Sequence, residues 1–339
     1  MANKVYVCGT LYHVFISTLK NIEGKKSGNE SLLIVTDFTP KLDLIAQKLV
    51  NDGFFTSFIY LPLFKIRKKF RSEAGLFKRY ARRNKYLVEY IENDSDIKKQ
   101  HDFISKSEIN LFSNLGPSSV YFLIRFKNNI FHQLEDGYRN YHPVVSNLKA
   151  FKRKYILNTP QGEGRDSQIK TIEVQYPEKL PSVVRHKGVK LDIQWLIDSM
   201  GEDNKQKLLD TFTQGHTFSI DGHKKVILIT QPLSEDRYIS EEYKINLYKQ
   251  ILNDHAKGYD VYIKAHPRET TDYKDKLGVD VIEIPRNFPM EILNFYPNIV
   301  FEKGITIFSG ALNNLTNIKE RIFLGRDYDK KLLSKKALL

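Results

Sequence analysis

The chain has a single cysteine, Cys8, which excludes an internal disulfide and fits a reducing compartment. No window approaches the roughly 18 to 20 consecutive apolar residues that a membrane-spanning helix needs. The opening MANKVYVCGTLYHVF has one lysine before a short β-branched run broken by polar residues, which makes a poor signal peptide. These shortages predict a cytoplasmic protein. Its 9 histidines form no H-E-x-x-H motif and no paired Cys/His spacing, so no metal is expected. There is also no G-x-G-x-x-G after a strand, no phosphate loop of the G-x-x-x-x-G-K-[ST] type and no G-x-S-x-G elbow. QGEG at 161–164 supplies half a dinucleotide fingerprint in a polar segment. Internal repeats and low-complexity tracts are absent.

Acidic residues are in deficit: 53 Lys+Arg face 40 Asp+Glu, a formal charge of +13. Such an excess implies a polyanionic partner, whether nucleic acid, an anionic membrane or phosphorylated small molecules. Much of it lies in FKIRKKFRSEAGLFKRYARRNKY, residues 64–86, where Phe64, Phe70, Phe77 and Tyr80 interleave with the cations. The segment suits an anionic lipid surface, or equally a solvated helix face whose aromatics enter the core.

With 339 residues the chain exceeds what one core usually organises, and two domains are expected. KVYVCGT (4–10), SLLIVTD (31–37), INLFSN (109–114) and NNIFHQLEDG (128–137) are short apolar or alternating runs, each ending in a turn. After Gly222 the pattern restarts with KKVILITQP (224–232), YDVYIKAHP (259–267), VDVIEIP (279–285), PNIVFEKGITIFSG (297–310) and ERIFLG (320–325). Strands alternating with helical stretches predict an α/β fold of two Rossmann-like domains with parallel sheets facing a central cleft. The division is expected near residues 1–155 and 156–339, with the linker inside the mixed stretch 138–215.

In such sheets ligands bind beyond the carboxyl ends of strands. Four polar groups sit where apolar runs stop: Glu135-Asp136-Gly137, Thr230-Gln231-Pro232, His266-Pro267 and Ser309-Gly310. Asp136 at a turn offers a general base for a hydroxyl, although EDG is also a common turn sequence. His266 has an imidazole whose ordinary pKa is near neutrality and would rise beside phosphate; a strand-terminal histidine is often structural. Ser309 precedes ALNNLTNIK, a predicted helix whose N-terminal amides would hold phosphate, with Gly310 allowing close approach; an ordinary N-cap is the plainer reading.

The carboxylate-carboxylate-glycine motif, the His-Pro motif and the downstream serine resemble the set shared by bacterial sialyltransferases of the GT-B fold. The opening VYVCGTLYHVFISTLK resembles glycosyltransferase family 52, which includes capsule and lipooligosaccharide sialyltransferases, and the resemblance runs from residue 4 to about 325. It implies Asp136 as the general base, with Glu135 turned away, and His266 as the group that protonates or hydrogen-bonds the departing CMP phosphate. Ser309, Gly310, Gln231, Pro232, Lys264, Pro267 and Thr306 would surround the donor, and Glu291 would bind the CMP ribose. Gly9, Thr10 and Gly137 would border the acceptor side. Related enzymes often have two adjacent hydroxyl residues at the serine motif, so here a backbone amide or Thr306 would make the second phosphate contact.

The activity implied is inverting, cofactor-free and metal-independent transfer of sialic acid from CMP-N-acetylneuraminic acid to a galactose-type hydroxyl of a surface glycan. No nucleic-acid partner is expected, a homodimer is left open, and residues 64–86 would hold the enzyme at the inner membrane face near a lipid-linked acceptor. The rivals are a family transferase with another sugar nucleotide, such as a lipopolysaccharide glucosyltransferase, and a non-enzymatic polyanion- or nucleic-acid-binding protein. The D-x-D pairs of Asp94–Asp96 and Asp327–Asp329 follow no convincing strand and read as solvated acidic pairs rather than a metal site. His142-Pro143 follows polar YRNY and reads as loop.

Overall fold

The computed structural model describes residues 2–25, 28–73, 83–112, 116–142, 145–157, 159–213, 220, 222–286, 289–296 and 298–333. The chain divides into two compact units, Met1–Glu202 and Asp203–Leu339. The division falls later than residue 155 and within the 138–215 stretch, because the strands Ile169–Val174 and Gly188–Lys190 join the first sheet.

In the first unit, β1 (Lys4–Cys8), β2 (Ser31–Thr36), β3 (Ser57–Leu61), β4 (Glu108–Leu111), β5 (Phe131–Leu134), β6 (Ile169–Val174) and β7 (Gly188–Lys190) form one sheet. Their order is β3-β2-β1-β4-β5-β6-β7, and every pair is parallel. All six residues of β2, SLLIVT, are buried, as expected of a parallel strand covered on both faces. The chain winds outward from β1 through β2 to β3, then returns to the other side of β1 as β4. That reversal leaves a switch point beyond the carboxyl ends of β1 and β4, the usual ligand position in open α/β sheets.

The second unit repeats the plan with β8 (Lys225–Ile229), β9 (Asp260–Lys264), β10 (Val281–Ile284), β11 (Phe301–Thr306) and β12 (Ile318–Phe323). The order is β10-β9-β8-β11-β12, again all parallel, so its switch point lies between β8 and β11. Gly304 lies within β11. A Cβ there would meet Leu312 Cδ1 at 2.5 Å and Ile318 Cδ1 at 2.7 Å, so a larger residue would have to push both side chains aside.

Three expectations need correction. The strands read from sequence omit β3, β6 and β7, and β6 and β7 extend the first sheet through the mixed stretch 138–215. The predicted helix after Ser309 is a 3₁₀ turn, Gly310–Asn314, because β12 begins again at Ile318. The basic segment divides into the helices Leu63–Glu73 and Arg83–Asn93, with Phe64 exposed and Phe70 stacked on Tyr86 at 4.5 Å. Phe77 and Tyr80 lie outside the described residues, as does Pro143.

Asp94 caps the helix Ser95–Lys99 by accepting from the N–H groups of Asp96 and Ile97. Asp329 accepts the Tyr243 hydroxyl at 2.6 Å. Among the described residues no cluster of three or more His, Cys, Asp or Glu could hold a metal, and no helix is long and apolar enough to cross a membrane.

Candidate active site

The first cluster lies beyond β1, β4 and β5. Gly9 follows β1, and its N–H donates to His13 Nδ1 at 3.1 Å. Thr10 Oγ1 accepts the N–H of His13 at 3.2 Å, fixing the first turn of the helix Leu11–Lys25. The His13 ring stacks on Phe112, just past β4, with centroids 4.1 Å apart and planes 7° apart. With Nδ1 accepting, neutral His13 carries its proton on Nε2, which donates to Asp136 Oδ1 at 2.7 Å. Asp136 retains 27% side-chain exposure, and its N–H is held by Asn140 Oδ1 at 2.7 Å. Gly137 follows at φ 84°, the left-handed conformation that closes this turn.

Adjacent Glu135 points into the fold and is 3% exposed. It accepts from Gln175 N–H at 2.6 Å, Gln175 Nε2 at 3.2 Å and the Tyr141 hydroxyl at 3.0 Å. Burial raises its pKa, and these donors oppose the rise. The two carboxylates therefore have separate roles: Glu135 fastens the turn to β6 and Asp136 faces outward.

The second cluster lies beyond β8, β9 and β11. His266 Nδ1 accepts the Arg268 N–H at 3.1 Å, which again leaves the neutral proton on Nε2. Burial, then the positive charges of Arg268 and Lys264, push its pKa down to about 4, below the near-neutral value expected from sequence. The His266 N–H donates to Glu269 Oε1 at 2.8 Å; that buried carboxylate also accepts from Thr230 Oγ1 at 2.7 Å and from the Tyr273 hydroxyl. Pro267 then turns the chain away from the sheet.

Several residues expected at the donor are bonded within the framework. Gln231 Oε1 accepts the Phe308 N–H at 3.2 Å, tying the end of β8 to the end of β11, while Pro232 opens the loop beyond. Thr306 is fully buried, donates to Ile229 O at 3.1 Å and accepts the Ser309 N–H at 3.2 Å. Its hydroxyl is thus committed to positioning the Ser309 turn, a different task from the phosphate contact expected. Ser309 caps the Gly310–Asn314 turn, its hydroxyl accepting from the Ala311 N–H. Lys264 Nζ donates to Pro285 O at 3.0 Å and Arg286 O at 3.1 Å, and burial lowers its pKa to about 7. Glu291 is buried and accepts from Asn314 Nδ2 at 2.5 Å; its charge acts on Lys264.

The structure adds residues that the sequence reading passed over. His13 is one. Another is a second carboxylate turn, Glu235-Asp236-Arg237, whose third residue sits at φ 61° where Gly137 sits at 84°. Asp236 forms a two-pronged ion pair with Arg268, at 2.6 and 3.0 Å. Glu235 accepts from Thr270 N–H at 2.8 Å and from Lys244 Nζ at 3.0 and 3.1 Å. Burial alone would raise the Glu235 carboxyl, but these donors outweigh it and hold it at about 2. The turn after β8 and the His-Pro turn after β9 are thereby fastened together.

The chain belongs to glycosyltransferase family 52, whose model it matches over residues 33–324. It is 32% identical over 224 residues to an uncharacterised Haemophilus influenzae protein, covering 63% of this chain and 68% of that one. The GT-B domain of a Photobacterium damselae sialyltransferase superposes with a TM-score of 0.51 at 12% identity, covering 94% of this chain and 89% of that domain. A spinosyn rhamnosyltransferase gives 0.50 at 13% identity, with 98% and 84% covered. The fold is therefore GT-B.

Proposed function

We propose that this glycosyltransferase is an inverting sialyltransferase that moves sialic acid from its CMP donor to a galactose-type hydroxyl of a bacterial surface glycan. The observation that carries the reading is His266. A neutral imidazole with Nδ1 occupied and Nε2–H available is a hydrogen-bond donor suited to the phosphate that leaves with CMP, and an approaching anion would raise its pKa and strengthen the bond. Asp136 takes the proton from the acceptor hydroxyl as that oxygen attacks the anomeric carbon. The bond to the phosphate oxygen breaks on the opposite face, and its electrons leave with CMP. The Ser309 hydroxyl, which accepts from the Ala311 N–H, offers the phosphate its own O–H. No covalent intermediate is needed, and each proton-transferring group supplies on the order of 10²- to 10⁴-fold.

A second reading of the base is favoured by one contact. The N–H on His266 Nδ1 is Arg268's own, and the Arg268 guanidinium holds Asp236, so Asp236 is fixed beside the His266 turn. In this reading Asp236 takes the hydroxyl proton.

The deciding assay is release of free CMP from CMP-N-acetylneuraminic acid with a galactose-terminated acceptor and excess EDTA. Wild type should turn over and His266→Ala should not. Comparing Asp136→Asn with Asp236→Asn assigns the base to whichever loses turnover with donor KM retained. No release by wild type, with release from another sugar nucleotide instead, would replace the donor.

A further inference from the structure

The helix Asn147–Tyr155 presents its apolar side to solvent. Ser146 caps its start by accepting the Lys149 N–H, and Ala150 is its one buried residue. Leu148, Phe151 and Tyr155, at i, i+3 and i+7, form one stripe, 65%, 55% and 64% exposed. Phe151 and Tyr155 pack on each other at 4.7 Å, so the stripe is continuous. Ile156 and Leu157 extend it and are equally open. A run of exposed large apolar side chains on one element marks a docking surface.

We propose that this helix and the turn after it dock the protein on an anionic membrane surface. The occupant follows from charge: SNLKAFKRKYIL, residues 146–157, contains no acidic residue, while Lys149 and Lys152 flank the stripe on one side and Lys154 on the other. A large apolar stripe with cationic margins and low overall hydrophobicity is the pattern of a helix lying in the headgroup plane. The backbone suits that environment as well. The N–H groups of Ile156 and Leu157 both donate to Lys152 O at 3.0 Å, and Thr159 N–H donates to Arg153 O at 2.9 Å, so these donors of the final turn are satisfied within it. Arg153 Nε holds Pro160 O at 2.6 Å and anchors the helix end to the body of the unit. A second copy fits less well, since two-fold pairing of this stripe would set Lys149, Lys152 and Lys154 against the same three cations.

The test is co-sedimentation of the full chain with vesicles of phosphatidylcholine, alone or with about 30 mol% phosphatidylglycerol. Wild type should bind the anionic vesicles and release as salt rises. Leu148→Ser/Phe151→Ser/Tyr155→Ser and Lys149→Glu/Lys152→Glu/Lys154→Glu should each weaken binding by about 10-fold or more. Thermal unfolding serves as the fold control, these side chains being exposed. Equal binding by either variant, or loss only on Lys65→Glu/Lys68→Glu/Lys69→Glu, overturns the proposal. So does a serine variant that turns a dimer into a monomer in sedimentation velocity while vesicle binding stays constant. The assay uses neither donor nor acceptor, so a failed transfer reaction and a failed membrane contact are read separately.

Discussion

His13 Nε2 stands 2.7 Å from Asp136 Oδ1, joining the first turn after β1 to the turn after β5. Because the Gly9 N–H occupies Nδ1, the imidazole donates to the carboxylate and holds one of its oxygens, leaving the other oxygen to meet a hydroxyl. His13→Asn keeps an acceptor for Gly9 but no donor for Asp136, whereas His13→Gln restores an amide N–H near Nε2. If Asp136 is the base, kcat should fall by on the order of 10²-fold in the asparagine variant with donor KM unchanged, and recover in the glutamine variant. Wild-type kcat in His13→Asn, or equal losses in both, would show that this contact does not orient the base.

His266 should make stability fall in mild acid. Its folded pKa of about 4 lies below the ordinary value of roughly 6.5, so the unfolded chain takes up the proton first as pH drops. The stability present above 6.5 is lost progressively down to about 4, by on the order of 2 to 3 kcal/mol. Urea unfolding across this range, compared with His266→Asn, reads the difference in slope. Phosphate binding has the opposite sign: CMP should shift the His266 titration upward in NMR. An unchanged titration would mean that the imidazole does not meet the nucleotide.

Lys244 is fully buried, with Nζ at 3.0 Å from Glu235, 3.1 Å from Glu241 and 3.7 Å from Glu269. Replacing it with methionine keeps the stem and leaves these carboxylates without their shared cation, which should cost about 3 to 5 kcal/mol in urea denaturation at neutral pH. A change below about 1 kcal/mol would mean that the charges are already compensated elsewhere.

Strands that run apolar into a turn were legible, as in β2 and β8, although the apolar β3, SFIYL, was missed. β6, IKTIEV, was missed because Lys170 and Glu173 interrupt its apolar residues on a strand near the sheet edge. Turn chemistry explains the uneven reading of the two carboxylate pairs. Gly137 announces a left-handed turn, while Arg237 takes up the same conformation with no glycine to mark it. His13 left no sequence signal because its partner is supplied by a strand formed more than a hundred residues later, as the 123-residue separation shows. Ser309 was readable as a cap, but the length of the element it caps was set by β12.

The Lys244 cluster has one more consequence. Glu235 grips the Thr270 backbone while Asp236 grips Arg268, so the turns after β8 and β9 are one stiff piece before any ligand arrives. The conformational entropy of ordering them is lost at folding, and a nucleotide that met this surface would bind a site already in shape. Loosening that clasp should therefore appear first as a slower on-rate and a larger entropy penalty on binding, even in a variant whose contacting side chains are all intact.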